Sequence, residues 1–132
     1  MDGKKSWYDF GFDHAVCGVF EALKSEKSIK VAYLYTIAVV VLGFVLSISA
    51  TEWALLLLAL GLIFVAEYLN TAVEYAVDLS TKDILVKELE REPINQNAKL
   101  AKDIGAASAL IATCIVGIIS LIIFAPKLID LL

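Results

Sequence analysis

The sequence predicts an all-α membrane protein: one domain over residues 1–132, with an N-terminal amphipathic surface helix followed by three transmembrane helices. Three observations carry this prediction. Hydrophobic residues make up 60% of the chain and charged residues 20%, with a mean hydropathy of +0.81; ordinary soluble domains hold about 45–50% and about 25%. Three stretches are apolar enough to cross a bilayer, and ten of the 11 Lys and Arg residues flank them on one side. A soluble domain of this length leaves too much surface in water to hide so much apolar area. The composition also excludes a disordered chain. A disulfide scaffold is excluded too, since the only cysteines, Cys17 and Cys114, lie 97 residues apart and read as small buried hydrophobes.

The first element covers about residues 6–24. Phe12, Ala15, Val16, Val19, Phe20 and Leu23 recur at helical spacing, with Asp9, Asp13 and Glu21 between them and Trp7, Tyr8 and Phe10 ahead. Such a helix suits the headgroup region of a membrane; packing against other protein alone is the second reading. The first span covers about residues 30–48, where Val31 to Ile48 gives 18 uncharged residues. No cleavable leader is expected, because charges run through the first 30 residues without an apolar core.

A short polar turn from Ser47 to Thr51 leads into the second span, about residues 52–79. Ser49 or Thr51 can cap this helix, with Glu52 well placed in its first turn. Trp53 to Ala66 supplies only 14 uncharged residues, whereas a bilayer core needs about 20. Either Glu67 lies within the membrane boundary or the helix continues into water. The connection from about Leu79 to Asp103 is polar, and Pro93 should interrupt any helix there. The third span, about residues 104–126, holds 23 uncharged residues from Ile104 to Pro126. Its Gly105, Ala109, Thr113 and Gly117 recur every four residues, a ridge of small side chains that serves packing between protomers or within one.

Orientation follows from Lys and Arg. Lys4, Lys5, Lys24, Lys27 and Lys30 precede the first span, and Lys82, Lys87, Arg91, Lys99 and Lys102 lie in the long connection; only Lys127 is on the other side. The positive-inside rule puts the N-terminus and the 79–103 loop in the cytoplasm and the C-terminus outside, as in a multi-pass plasma-membrane protein.

The chemistry concentrates on the second helix. With Glu67 at 0° and about 100° per residue, Asn70 falls at about 300°, Thr71 at about 40°, Glu74 at about 340° and Asp78 at about 20°. Three carboxylates, an amide and a hydroxyl thus share one stripe. Like charges at i and i+4 destabilise a helix, and ionised groups near lipid are expensive. A hard cation such as Mg²⁺, which takes one or two carboxylates plus water and phosphate oxygens, is the natural compensation. A buried polar contact between helices, or acids simply bathed in cytosol, are the plainer readings. Lys102 and Asp103 at the start of the third span are either a topology signal or a phosphate anchor. No P-loop, GxGxxG or HExxH pattern is present, and no nucleic-acid partner is expected.

The 12 residues from Glu67 to Asp78 read E-x-x-N-(S/T)-A-(I/V)-E-x-x-V-D, and Ala101-Lys102-Asp103 follows, then Ile104, Gly105, Ala106 and Ala107. Together with Ala15-x-x-Gly18, Glu26 and Glu52-Trp53, this pattern resembles the small prokaryotic integral-membrane diacylglycerol kinase and undecaprenol kinase family over nearly the whole chain. The resemblance implies a homotrimer with active sites between protomers at the cytoplasmic interface, where the γ-phosphate of ATP passes to the hydroxyl of a membrane lipid. It implies Glu67 as general base and Glu26 and Glu74 as holders of the nucleotide-bound Mg²⁺. Asn70, Asp78, Lys102 and Asp103 would complete the nucleotide site, with His14 nearby. Glu67, Trp53 and Ala106 would meet the lipid.

The residue types agree with that chemistry. A lipid alcohol is a poor nucleophile at neutral pH, and a carboxylate at the bilayer edge can take its proton. Phosphoryl transfer otherwise requires positioning and charge neutralisation. Undecaprenol is the expected acceptor, because Glu52-Trp53 and Phe124-Ala125-Pro126-Lys127 resemble the Gram-positive branch; diacylglycerol is the alternative. Two features depart from the family pattern: Lys87 to Asn97 resembles an insertion, and Ala32 stands where a polar or charged residue is usual. A small ion- or drug-coupled transporter would want its acid near the midplane and a paired repeat, and no repeat is visible. A non-enzymatic assembly subunit leaves the aligned acids unexplained.

Overall fold

A computed structural model describes residues 7–82 and 92–131. Four helices run in chain order: α1 (Trp7–Ser25), α2 (Lys27–Val45), α3 (Ala50–Lys82) and α4 (Glu92–Ile129). Three of them are long and apolar enough to cross a membrane, over Lys27–Val45, Ala50–Ser80 and Gln96–Ile129. Their outward faces are apolar: Leu34 on α2, Leu58 on α3 and Ile122 on α4 are 70%, 73% and 68% exposed. No water-soluble surface is built that way, whereas lipid tails solvate it without cost.

The bundle is organised around α3 and α4, which form its main pairing, with α2 laid against α3. Leu56, Ala59, Leu60 and Ile63 of α3 bury against Ala112, Val116 and Ile123 of α4 and Ala32 and Val39 of α2. α1 is exposed along most of its length, including Phe12 and Phe20. It is tied to the bundle near its C-terminal end, where Tyr68 on α3 donates to the carbonyl of Val19 at 3.3 Å. Tyr33 of α2 meets the Tyr68 hydroxyl at 3.4 Å.

The turn after α2 closes by local chemistry. Ser47 takes φ 48°, and its N–H bonds to Phe44 O while that of Ile48 bonds to Gly43 O. This left-handed cap satisfies carbonyls that the last turn of α2 would leave open. Ser49, rather than Thr51, then caps α3. Its Oγ accepts from the Glu52 N–H at 3.3 Å, and Glu52 Oε2 accepts from the Ser49 N–H at 2.7 Å, a reciprocal capping box.

The third membrane helix differs from the sequence expectation. It begins at Glu92 rather than near Ile104. Pro93 does not interrupt it but occupies its first turn, where the missing N–H would have had no helical partner. Of the segment Lys87–Asn97, which in sequence resembles an insertion, residues 92–97 form this first part of α4, and the remainder lies outside the described residues.

Candidate active site

α3 is one helix of 33 residues, about 50 Å at 1.5 Å per residue, against a bilayer core of about 30 Å. It is therefore long enough to cross the membrane and continue beyond. Counted from Ala50, Glu67 lies about 26 Å along the axis, and Glu74 and Asp78 lie about 36 and 42 Å along. Of the two sequence alternatives for Glu67, the structure bears on the second: the helix runs on past it to Lys82.

The stripe faces inward where it is closest to the membrane. Glu67, Asn70 and Thr71 are 8%, 9% and 5% exposed, while Glu74 and Asp78 are half-buried. Asn70 Nδ2 donates to Glu74 Oε1 at 3.0 Å. Asn70 Oδ1 is buried with no hydrogen-bond partner, an arrangement that native structures rarely leave without purpose. It lies against Gly105 of α4, where a Cβ would fall 2.6 Å from it. Further along, Lys102 of α4 forms an ion pair with Asp78, so the two candidate nucleotide residues meet across the helix pair. Asp103 and Ala106 are exposed on α4.

Glu26 enters from the break between α1 and α2. It holds the N-cap position of α2 in an extended conformation, yet its side chain makes no cap bond. Its Oε1 instead accepts from the Tyr75 hydroxyl of α3 at 3.5 Å, which brings it to the helix that carries Glu74. His14 lines a groove of 440 Å³ between α1 and α3, together with Tyr68, Thr71 and Tyr75. Among the described residues, no group of three or more His, Cys, Asp or Glu comes together as a metal cage. The candidate donors here are oxygens alone: the carboxylates of Glu26 and Glu74, the first held by the Tyr75 hydroxyl and the second by the Asn70 amide. Such a set suits Mg²⁺, which takes few protein carboxylates and completes its shell with phosphate and water oxygens.

On the other side of Glu67 the surroundings turn apolar. A cavity of 330 Å³ is headed by Glu67 and walled by Ala32 and Tyr35 of α2, Ile63 of α3 and Val116 and Gly117 of α4. Trp53 is not part of it. It lies 14 residues earlier on α3, about 21 Å away along the axis, with its ring 4.9 Å from that of Phe44 and packed over Gly43. The Tyr75–Glu26 contact and the seat of Asn70 on Gly105 were invisible in the sequence, because both depend on how neighbouring helices register.

The helices long and apolar enough to span a membrane, the acids that continue along α3, and a buried glutamate over an apolar cavity are the parts that a site for the polar end of a lipid needs. The family profile described as prokaryotic diacylglycerol kinase matches residues 13–124. The chain is 36% identical over 117 residues to undecaprenol kinase of Bacillus subtilis, covering 89% of this chain and 87% of that protein. It is 28% identical over 103 residues to diacylglycerol kinase of Pseudomonas aeruginosa, covering 78% and 76% of the two chains. Against diacylglycerol kinase of Synechocystis sp. it is 28% identical over 121 residues, covering 92% and 64%. No solved structure matches the chain significantly. The chain belongs to the prokaryotic diacylglycerol kinase family and is an ATP-dependent lipid kinase.

Proposed function

We propose that the protein transfers the γ-phosphoryl group of ATP to the hydroxyl of undecaprenol, at sites formed in a homotrimer at the cytoplasmic face of the plasma membrane. The observation that carries this reading is Glu67, buried at the head of an apolar cavity and on the same helical face as Asn70, Glu74 and Asp78. The greater identity to an undecaprenol kinase than to the two diacylglycerol kinases supports the acceptor; diacylglycerol is the second reading.

In this mechanism the lipid hydroxyl reaches Glu67 from the membrane side and donates its proton to the carboxylate as its oxygen attacks the γ-phosphorus. The new O–P bond forms as the bond to the β-phosphate oxygen breaks, and ADP leaves. Glu26 and Glu74 would hold Mg²⁺, which when bound neutralises charge on the nucleotide phosphates. Asn70 orients Glu74 through its amide. Lys102 offers a cation to the phosphates, with Asp78 as the carboxylate that holds it in place. Asp103 and His14 lie at the margin of the nucleotide site, and Trp53 and Ala106 contact the acceptor lipid or its neighbours. α1 lies on the membrane surface with Phe12 and Phe20 in the headgroup layer.

Transfer of labelled phosphate from ATP to undecaprenol and to diacylglycerol, side by side in mixed micelles, tests the assignment. Higher kcat/KM with undecaprenol is expected. A preference for diacylglycerol installs the second reading, and transfer to neither overturns both.

A further inference from the structure

We propose that Gly117 and Ala32 are specificity-determining residues: they keep the space beside Glu67 open to a hydrocarbon chain that begins at the carbinol carbon, as in a polyprenol. The inference rests on the lipid kinase reading above and adds to it the residues that select the acceptor class. Both residues line the cavity that Glu67 heads. A Cβ added at Gly117 meets nothing within 4 Å, so the smallness of this residue is not required by packing inside the protomer. Ala32 is 3% exposed and offers only a methyl group to the opposite wall.

The polar groups on the walls are already committed. The Tyr35 hydroxyl donates to Ser120 Oγ at 2.7 Å, and Thr113 Oγ1 donates to Ala109 O at 2.9 Å. A hydroxyl has one proton to give, and an ionised carboxylate has none. A lipid entering beside Glu67 therefore finds a carboxylate to accept from its hydroxyl, while the protons of both hydroxyls deeper on the walls are committed; Ser28 lies exposed at the mouth. Ester carbonyls are acceptors and would be buried there unpaired, a penalty that discriminates strongly. A polyprenol carries no polar group beyond its hydroxyl, and its chain meets walls that are mostly apolar, among them Val31, Ala32, Ile63, Val116 and the open face of Gly117. The volume of 330 Å³ lies in the range of ligand clefts, about 300–1,000 Å³.

The test uses the full-length protein in mixed micelles, with undecaprenol and diacylglycerol as alternative acceptors and saturating ATP. Gly117→Leu, which fills the open face, should raise KM for undecaprenol by about tenfold or more, the effect of one mis-sized hydrocarbon contact in an apolar pocket. The KM for diacylglycerol should change by less than about threefold, kcat should hold within a similar factor, and KM for ATP should not move. Gly117→Ala adds a single methyl in open space and should show the same selective shift in smaller measure. It decides the matter if the leucine variant loses ATP affinity or fails to fold. An unchanged KM ratio between the two lipids in the folded variants, or an equal loss with both, overturns the inference while leaving the kinase reading intact. A parent protein that phosphorylates neither alcohol overturns the reading and the inference together.

Discussion

A carboxylate 8% exposed beside an apolar cavity is costly to bury, and an amide of the same shape would pack there at lower cost. Glu67 therefore separates a structural from a chemical account. As general base, Glu67→Gln loses the group that accepts the lipid proton, and turnover should fall by about 10²-fold or more. ATP affinity should survive, since the residue lies on the membrane side of Glu74 and Asp78; turnover and nucleotide binding measured on the same folded protein check both halves. Glu74→Gln and Glu26→Gln should act differently. Each removes a charge from the proposed cation shell, so half-maximal activity should need more Mg²⁺, and unchanged Mg²⁺ titrations in both variants would remove them from it. The stripe itself was legible in the sequence, because Glu67, Asn70, Thr71, Glu74 and Asp78 recur within one helical face whatever the helix packs against. The bond from Tyr75 to Glu26 was not, because the two residues are 49 positions apart and nothing in either segment states their register.

At the scale of elements, α3 and α4 run antiparallel and are pinned near both ends: Glu52 pairs with Lys127 at 3.3 Å at one end, and Asp78 with Lys102 at the other. Between them Gly105 lets α4 approach until Asn70 fills the place of its missing side chain. Gly105→Ala should push the Asn70 amide away from Glu74 and cost about 1–3 kcal/mol, as overpacking typically does. Gly61→Ala, in the same bundle but with nothing within 4 Å of the new methyl, should stabilise through helix propensity by up to about 1 kcal/mol. Thermal unfolding in detergent compares the two, and equal shifts would disprove the close approach. Within the protomer the small-residue ridge of α4 divides in its roles: Gly105 and Ala109 are buried, whereas Thr113 and Gly117 line the cavity. Sequence periodicity marks a ridge without saying what lies opposite each step. The start of α4 was missed for a related reason. Span reading follows hydropathy, which ends near Ile104, whereas the backbone remains helical through polar residues back to Glu92.

At the scale of the whole molecule, the exposed faces of all three long helices are apolar, so hydrocarbon rather than water is the solvent against which the bundle is stable. Three crossings place the two ends of the bundle on opposite sides of a membrane. The polar extension of α3 past Glu67 and the first turns of α4 share the end that carries Asp78 and Lys102, while Glu52 and Lys127 mark the other. In the proposed orientation the first end faces the cytoplasm, where ATP is available, as the positive-inside rule predicts from the charge asymmetry. Single cysteines introduced at Gln96 and at Asp130, in a background with Cys17 and Cys114 replaced, should then react with an impermeant thiol reagent from opposite sides of sealed vesicles. Right-side-out vesicles should label only the position at 130, and inverted vesicles only the position at 96. Labelling of both from one side would require an even number of crossings between them. It would also break the geometry on which the site depends, because the lipid hydroxyl and the nucleotide could no longer approach Glu67 from its two sides.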